Sequence, residues 1–444
     1  MRSHVTVIGG GLAGSEAAWQ LAQRGIDVTL YEMRPVRTTD AHQTDRLAEL
    51  VCSNSLKSDQ HPSASWLLKE ELRRLDSLLL RVAEKARVPG GQALTVDREV
   101  FACTVSDAIE AEPHIEIRRE EIVDINPSAP TIVATGPLTS DALANSIAQL
   151  TGSNRLFFYD SISPIVDGHT VDREVAFPAS RYDKSLDGTG DYLNCPFSKA
   201  EYEVFVHELL SAELAEAHIP NDTPYFEACL PIEEIARRGV DTLRFGPMKP
   251  MGLIDPRTGR RPYAAVQLRQ ENLRADSYNL VGFQNHLRFG EQKRILRLIP
   301  GLGNAEFLRF GQIHRNTYIN APELLTATLQ LRKHPEIFFA GQISGVEGYV
   351  ESIATGLVAG LLTALQLHGD QIAAFPRDTA IGALCHYISH ADTRRYQPAN
   401  IAFDLFPPVE PNPRDRRERQ IAICDRALKS LDTYTNGLMS SAHV

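Results

Sequence analysis

A glycine-rich turn between two short apolar strands, and two later strands that each run into glycine, predict an α/β fold. His4–Ile8 reads HVTVI and Asp27–Tyr31 reads DVTLY, both short buried-strand patterns on either side of the first turn. Thr131–Thr135 (TIVAT) leads into Gly136 and Pro137, and Ile337–Ala340 (IFFA) leads into GQISGVEGYVES. These junctions bracket a long middle stretch. The expected architecture is a discontinuous Rossmann-type domain with an inserted α+β domain. The loop-like stretches SLDGTGD and RKHPE set the expected limits: residues 1–180, an insertion over 181–335, and residues 336–444 with a C-terminal tail.

The first forty residues carry a dinucleotide fingerprint. Gly9, Gly10, Gly11, Leu12, Ala13 and Gly14 form the turn, with Gly9, Gly11 and Gly14 in the GxGxxG positions. The first glycine permits a tight turn, the second lets backbone approach a pyrophosphate, and the third lets helix and strand pack closely. Leu12–Arg24 is expected as a helix with Glu16 in its first turn, its N-terminus offering N–H groups and positive potential to phosphates. Glu32 ends the second strand, eighteen residues past Gly14, where a carboxylate accepts from ribose hydroxyls.

The later junctions favour a flavin over a nicotinamide as the resident dinucleotide. Two-dinucleotide flavoproteins carry a similar strand followed by ATG, here ending at Gly136. They also carry a strand whose glycine precedes a helix facing the flavin pyrimidine. Gly341, Gln342, Gly348 and Tyr349 occupy that second junction. Such a helix N-terminus stabilises the negative charge of a reduced flavin, and Gln342 is suited to bond a ribityl hydroxyl. Ser352–Leu367 is apolar but short for a membrane span and follows Glu351, so it reads as a buried helix and no membrane association is expected.

The 444 residues leave room for two or three domains. The net charge of −10 argues against general affinity for nucleic acid. The distribution is uneven: Arg237 to Arg315 holds fifteen Lys or Arg against six Asp or Glu, +9, which leaves −19 elsewhere. A segment of that sign suits a polyanion, and a solvated arginine-rich surface suits it equally. The six cysteines are spread without a CxxC, so no metal site is expected and a reducing cytoplasm fits. No leader segment is expected before the strand at His4.

Within the middle stretch, Ser198–His218 is expected as a helix opened by a SKAE capping box. Lys293, Arg294 and Arg297 are helically spaced, which serves a phosphate contact or a solvated face. Lys249, His286 and the run Arg414, Arg416, Arg417 and Arg419 are further candidates for phosphate or proton contacts, beside ordinary surface roles.

GGGLAGSEAAWQLA, EMRP, VCSNSLKS, ATGPLTS, FEACLPIEE, FGPMKPMGL and GQISGVEGYVES together resemble the folate- and FAD-dependent tRNA (uracil-5-)-methyltransferases, from residue 4 to about residue 370. The related MnmG (GidA) proteins share the first fingerprint and are longer. The resemblance implies FAD as resident cofactor and 5,10-methylenetetrahydrofolate as carbon donor. NADH or NADPH would be the reductant, and the T-arm of tRNA the acceptor. The product would be 5-methyluridine at the T-loop uridine. It also implies two catalytic cysteines, in the motifs that hold Cys52 and Cys229. Apart from the resemblance, Tyr349 is a candidate to stack on a folate or flavin ring, with core packing as the alternative.

The chemistry asks for thiols. Uracil C5 is a weak nucleophile until a thiolate adds to C6, and a base must later remove the C5 proton. Cys103, Cys195, Cys385 and Cys424 are expected to be structural. Two other readings stay open on the residues alone. One is an NAD(P)H-dependent flavin oxidoreductase acting on a small molecule. The other is a non-catalytic, flavin-bearing RNA-binding factor.

Overall fold

The computed structural model describes residues 3–39, 41–153, 156–185, 190–215 and 230–441. Cys229 lies outside the described residues, and the helix expected over 198–218 ends early, at Ser211, because Ala212 turns to extended backbone and Leu214 bridges to Leu287. A six-stranded sheet forms the first layer. Its centre is the strand His4–Ile8, whose Val5 and Val7 are wholly buried. Asp27–Tyr31 and Thr131–Val133 flank it in parallel, with Ile115–Arg118 and His334–Phe339 outside them. The short strand Gln330–Leu331 closes one edge antiparallel. The central strands are buried on both faces, which explains their nearly unbroken apolar runs.

Two helices, Leu12–Ala22 and Tyr349–His368, lie together beside this sheet. Their closeness depends on missing side chains. A Cβ on Gly356 would stand 2.2 Å from the Ala13 carbonyl oxygen, and one on Gly360 would stand 2.6 Å from that of Ala17. The longer helix is apolar and long enough to cross a membrane, but its apolar residues are buried within the protein. Glu16 differs from expectation. It is wholly buried and serves another helix, accepting from the Ser77 hydroxyl (2.8 Å) and the Leu79 N–H (3.0 Å) at the start of Leu78–Lys85. Burial pushes its carboxyl up, and those bonds with Gln20 hold it back.

The second six-stranded sheet is antiparallel throughout. Its order is Phe177–Ala179, Tyr192–Phe197, Ala264–Gln270, Ser277–Leu280, Ile165–Asp167 and Phe307–Arg309. Helices Lys199–Ser211 and Phe289–Leu296 contribute to its core, and the first begins with the reciprocal Ser198–Glu201 capping box. The two sheets have separate hydrophobic cores. The second runs from Val166 to Ala305, so Val166, Val171 and Ala176 pack there from before residue 181. A two-stranded ribbon, Leu156–Ser161 with Ile313–Tyr318, carries the chain out and back.

The C-terminal region is helical where a tail was expected. Ala380–His390 and Arg416–Ser441 both form helices, and Ile423, Cys424, Ala427 and Leu431 join the first core. The charged start of the last helix, RRERQ, hides this apolar spacing.

Glu233 is buried in the second core region. One carboxylate oxygen accepts from the His286 N–H at 2.7 Å and the other has no partner. Burial pushes this carboxyl up to about 7, against backbone hydrogen bonds that pull it down. Its folded pKa lies above its ordinary 4.5, so its contribution to stability is complete below that value and is lost as pH rises through about 7. Glu233→Gln is therefore expected to flatten the fall in urea midpoint between about pH 5 and pH 8. Gly356→Ala should lower stability by about 2 kcal/mol through overpacking. Gly437→Ala, whose Cβ would meet nothing within 4 Å, should be neutral or slightly stabilising. Urea unfolding of the two variants checks this contrast.

Candidate active site at the seam of two cores

An open cleft of about 1010 Å³ lies at the carboxyl ends of the parallel strands. Gly9, Gly11, Leu12, Ala13, Glu32, Gly136, Gly341, Gln342 and Tyr349, all expected cofactor contacts, line it. The glycines divide their work. Gly9 has φ +105°, and a Cβ there would strike the Ala134 carbonyl at 2.5 Å. A Cβ on Gly14 would sit 1.8 Å from the Gly9 carbonyl oxygen. Gly10 is held behind the turn against Leu47. Among the four glycines of this turn, only Gly11 would carry a Cβ that meets nothing within 4 Å, so its bare backbone faces open space at the start of the first helix. This is the surface a pyrophosphate needs, and the residues fit FAD on that ground.

Glu32 is almost fully buried. One oxygen accepts from the Gly10 N–H at 3.0 Å, and the other accepts from the Arg34 N–H (3.0 Å) and Nε (2.8 Å). Burial pushes its carboxyl up, but the bonds and charge of Arg34 outweigh this and hold it below the ordinary range. A carboxylate fixed here keeps lone pairs for ribose hydroxyls. Arg34 also reaches Glu49 at 3.1 Å, so the turn, the second strand and the following loop form one ionic cluster.

At the opposite wall, the Gln342 side-chain amide donates to Glu347 at 2.6 Å. The Gly341 N–H donates to the Thr355 hydroxyl. Gly348 lies off the cleft, at the start of the long helix, where a Cβ would meet Glu351 and Lys57. Lys57 pairs with the buried Glu351 at 2.8 Å and also bonds Asn400. Tyr349 lines the cleft with its side chain, and its hydroxyl accepts from the N–H groups of Cys52 (2.9 Å) and Ser53 (3.1 Å). Burial pushes its phenol well up, so the hydroxyl stays neutral.

The loop that holds Cys52 is bound on its other side by three arginines. Arg98 donates to the carbonyls of Cys52 (3.1 Å) and Leu50, and pairs with Glu271. Arg269, in the strand Ala264–Gln270, donates to Ser53 Oγ (2.7 Å) and Asn54 Oδ1 (2.8 Å). Arg309 donates to the carbonyls of Val51 (3.0 Å) and Ala41 (3.1 Å). Asn54 completes the seam by donating to the carbonyls of Val96 and Gln270.

The charges are crowded. Burial works against Arg98, but Glu271 above all keeps it fully charged. Burial pulls Arg269 down, with Glu271 as its main relief. Burial and then the neighbouring Arg98 pull Arg309 down. A negative charge on Cys52 favours the charged form of all three. Buried and half-buried arginines around a half-buried sulfur are a setting for a thiolate. By contrast, burial pushes the thiols of Cys195, Cys385 and Cys424 up to about 12. Cys103 is half-buried on the helix Arg98–Glu110.

Lys249 is exposed in a loop of the insertion, and Lys293 and Arg294 lie on the exposed side of the helix Phe289–Leu296. Arg297 ends that helix and bonds the Ala305 carbonyl. Burial pulls the His286 imidazole down, and the backbone N–H of His286 donates to Glu233. Arg414, Arg416 and Arg417 are exposed near the start of the last helix. None of these lines the cleft. Arg34, Arg98, Arg269 and Arg309 went unmarked in the sequence. The signal that exposes Arg269 is a cation in a largely apolar strand, AAVQLRQ, buried through Arg269.

The family model described as glucose inhibited division protein A matches residues 4–371. Two curated relatives bear the name methylenetetrahydrofolate--tRNA-(uracil-5-)-methyltransferase TrmFO. That of Solibacter usitatus is 67% identical and covers 99% of this chain and 100% of its own. That of Koribacter versatilis is 60% identical over 98% of each chain. The solved structure of Aquifex aeolicus GidA in its form II crystal has the same fold, with a TM-score of 0.71 over 98% of this chain and 74% of that one, at 18% identity. The fingerprint, the interrupted sheet and near-complete alignment agree: the chain belongs to the glucose inhibited division protein A family and, within it, to the TrmFO methyltransferases.

Proposed function

We propose that this chain transfers a one-carbon unit from 5,10-methylenetetrahydrofolate to C5 of the T-loop uridine of tRNA, with NADH or NADPH as reductant. The observation that carries this reading is the link between cleft and thiol. Tyr349 and Val51 line the cleft, and Tyr349 grips the backbone of Cys52 directly. The names of the relatives support the acceptor and donor.

FAD would be held along Gly9–Gly14, Glu32, Gly136, Gly341 and Gln342, and would supply the redox and carbon-transfer chemistry. The chain's own residues do the rest. Gly11 admits the pyrophosphate, and Glu32 holds ribose hydroxyls. Tyr349 presents its ring to the cleft and fixes the thiol loop. Cys52 and Cys229 divide two tasks. One thiolate adds to uracil C6 and raises electron density at C5, which bonds the one-carbon unit as that carbon's bond to its donor nitrogen breaks. The other group takes the C5 proton, the first thiolate departs to restore the 5,6 double bond, and two electrons from NADH or NADPH bring the carbon to the methyl level. The arginines that surround Cys52 favour its ionised form. The first domain holds the cofactor, and the insertion faces the RNA. A reducing cytoplasm keeps these thiols available.

Incubation of flavin-loaded protein, NADPH and unmodified tRNA with methylene-labelled tetrahydrofolate should place label in 5-methyluridine. NADPH oxidation with no label in RNA would contradict the proposal and favour a small-molecule oxidoreductase. Cys52→Ala and Cys229→Ala should each keep flavin and lose product by about a thousandfold or more. Full activity in both would remove the thiols from the mechanism.

A further inference from the structure

The insertion carries an aromatic cluster that lies at and beyond the margin of the second core. Phe307 and Phe310 stack with centroids 5.6 Å apart and planes inclined by 28°. Phe289 joins Phe310 at 5.8 Å. Phe289 is 57% exposed, and the neighbouring Leu308 is 60% exposed. Phe289 and Phe310 belong to neither hydrophobic core, and Phe307 packs only at the margin of the second. The exposed Phe289 and the half-buried Phe307 and Phe310 form one cluster open to solvent at one end, and apolar surface left exposed in this way marks an interaction surface.

Two features say what covers it. The first is charge. The cluster lies within the Arg237–Arg315 segment, which carries +9 in a chain of net −10. Arg288 and Lys293 flank Phe289 on the exposed side of its helix. Arg288 and Arg294 pair with Glu213 and Glu291, which moderates the field beside the rings. The second is position. Phe310 adjoins Arg309, whose guanidinium holds the Val51 carbonyl one residue from Cys52. Aromatic faces beside cations, next to a site for a base, fit unpaired nucleotides, which stack on phenylalanine without regard to base identity.

We infer that Phe289, Phe307 and Phe310 form a stacking platform for unpaired bases of the RNA substrate beside the uridine that reaches Cys52. This rests on the proposed function and adds the surface that function requires. The platform holds the strand flanking the target and leaves the cleft to the reacting uracil.

The test measures unmodified tRNA binding by the flavin-loaded parent, Phe310→Ala, Phe289→Ala and Phe310→Tyr, at one fixed salt concentration. Flavin content and thermal midpoint check folding. Both alanine variants should weaken binding by about tenfold, and Phe310→Tyr should stay near the parent because the ring is kept. The salt dependence should keep its slope in Phe289→Ala, since no phosphate contact is lost, and become shallower by about one in Lys293→Ala. If Phe310→Ala fails to fold, the exposed Phe289→Ala decides. Alanine variants that bind within twofold of the parent overturn the platform while leaving the reaction intact. So does a parent dimer that dissociates in Phe289→Ala with RNA affinity unchanged. A parent that binds no RNA and transfers no label overturns the reading of function itself.

Discussion

Three guanidinium groups, that of Arg269 buried and those of Arg98 and Arg309 half-buried, converge on the five residues from Leu50 to Asn54, and the site depends on that convergence. Arg98 comes from the first core's helix, while Arg269 and Arg309 come from the strands of the insertion. Each satisfies backbone or side-chain oxygens that would otherwise be stranded at the seam. Glu271 is the carboxylate that pairs directly with one of them. The seam is thus held by hydrogen bonds but left short of negative charge, a deficit that a thiolate at Cys52 helps to fill. The arginines that hold the backbone around Cys52 are the same ones that set positive charge near its sulfur.

The cleft is joined to this loop through the long helix. Gly356 and Gly360 let that helix settle against the first helix, which fixes the distance between the glycine turn and Tyr349. Tyr349, the first residue of the long helix, reaches both the cleft and the Cys52 amide. The Lys57–Glu351 pair pins the same helix start to the strand Ser55–Ser58. Below that strand the buried Lys69 donates to the carbonyls of Leu56 and Ser58. Ground-state geometry at the thiol therefore rests on the packing of the nucleotide-binding layer.

Local order made the nucleotide-binding half legible. A strand, glycine turn, helix, strand and acid leave a contiguous pattern, and the capping box at Ser198 is likewise local. The seam left no such trace. Arg98, Arg269 and Arg309 lie far apart in the chain and become a cluster only when two cores meet. Glu16 misled for a related reason: its place in the sequence suggested its own helix dipole, while the fold sends its carboxylate to the start of another helix. The C-terminal helix was obscured by its charged opening turn. Cys52 was legible by resemblance, and its surroundings only by structure.

The central claim is that arginines from the inserted domain make Cys52 reactive beside the cleft. Its most direct test is the rate of Cys52 alkylation at neutral pH, followed by peptide mass spectrometry. The flavin-loaded parent is compared with Arg269→Gln and Arg309→Gln, with Cys103 as an internal reference. Labelling of Cys52 should slow by about tenfold in both variants while the Cys103 rate holds. Equal Cys52 rates in parent and variants, with flavin retained, would contradict the account and leave the arginines as a structural clasp alone.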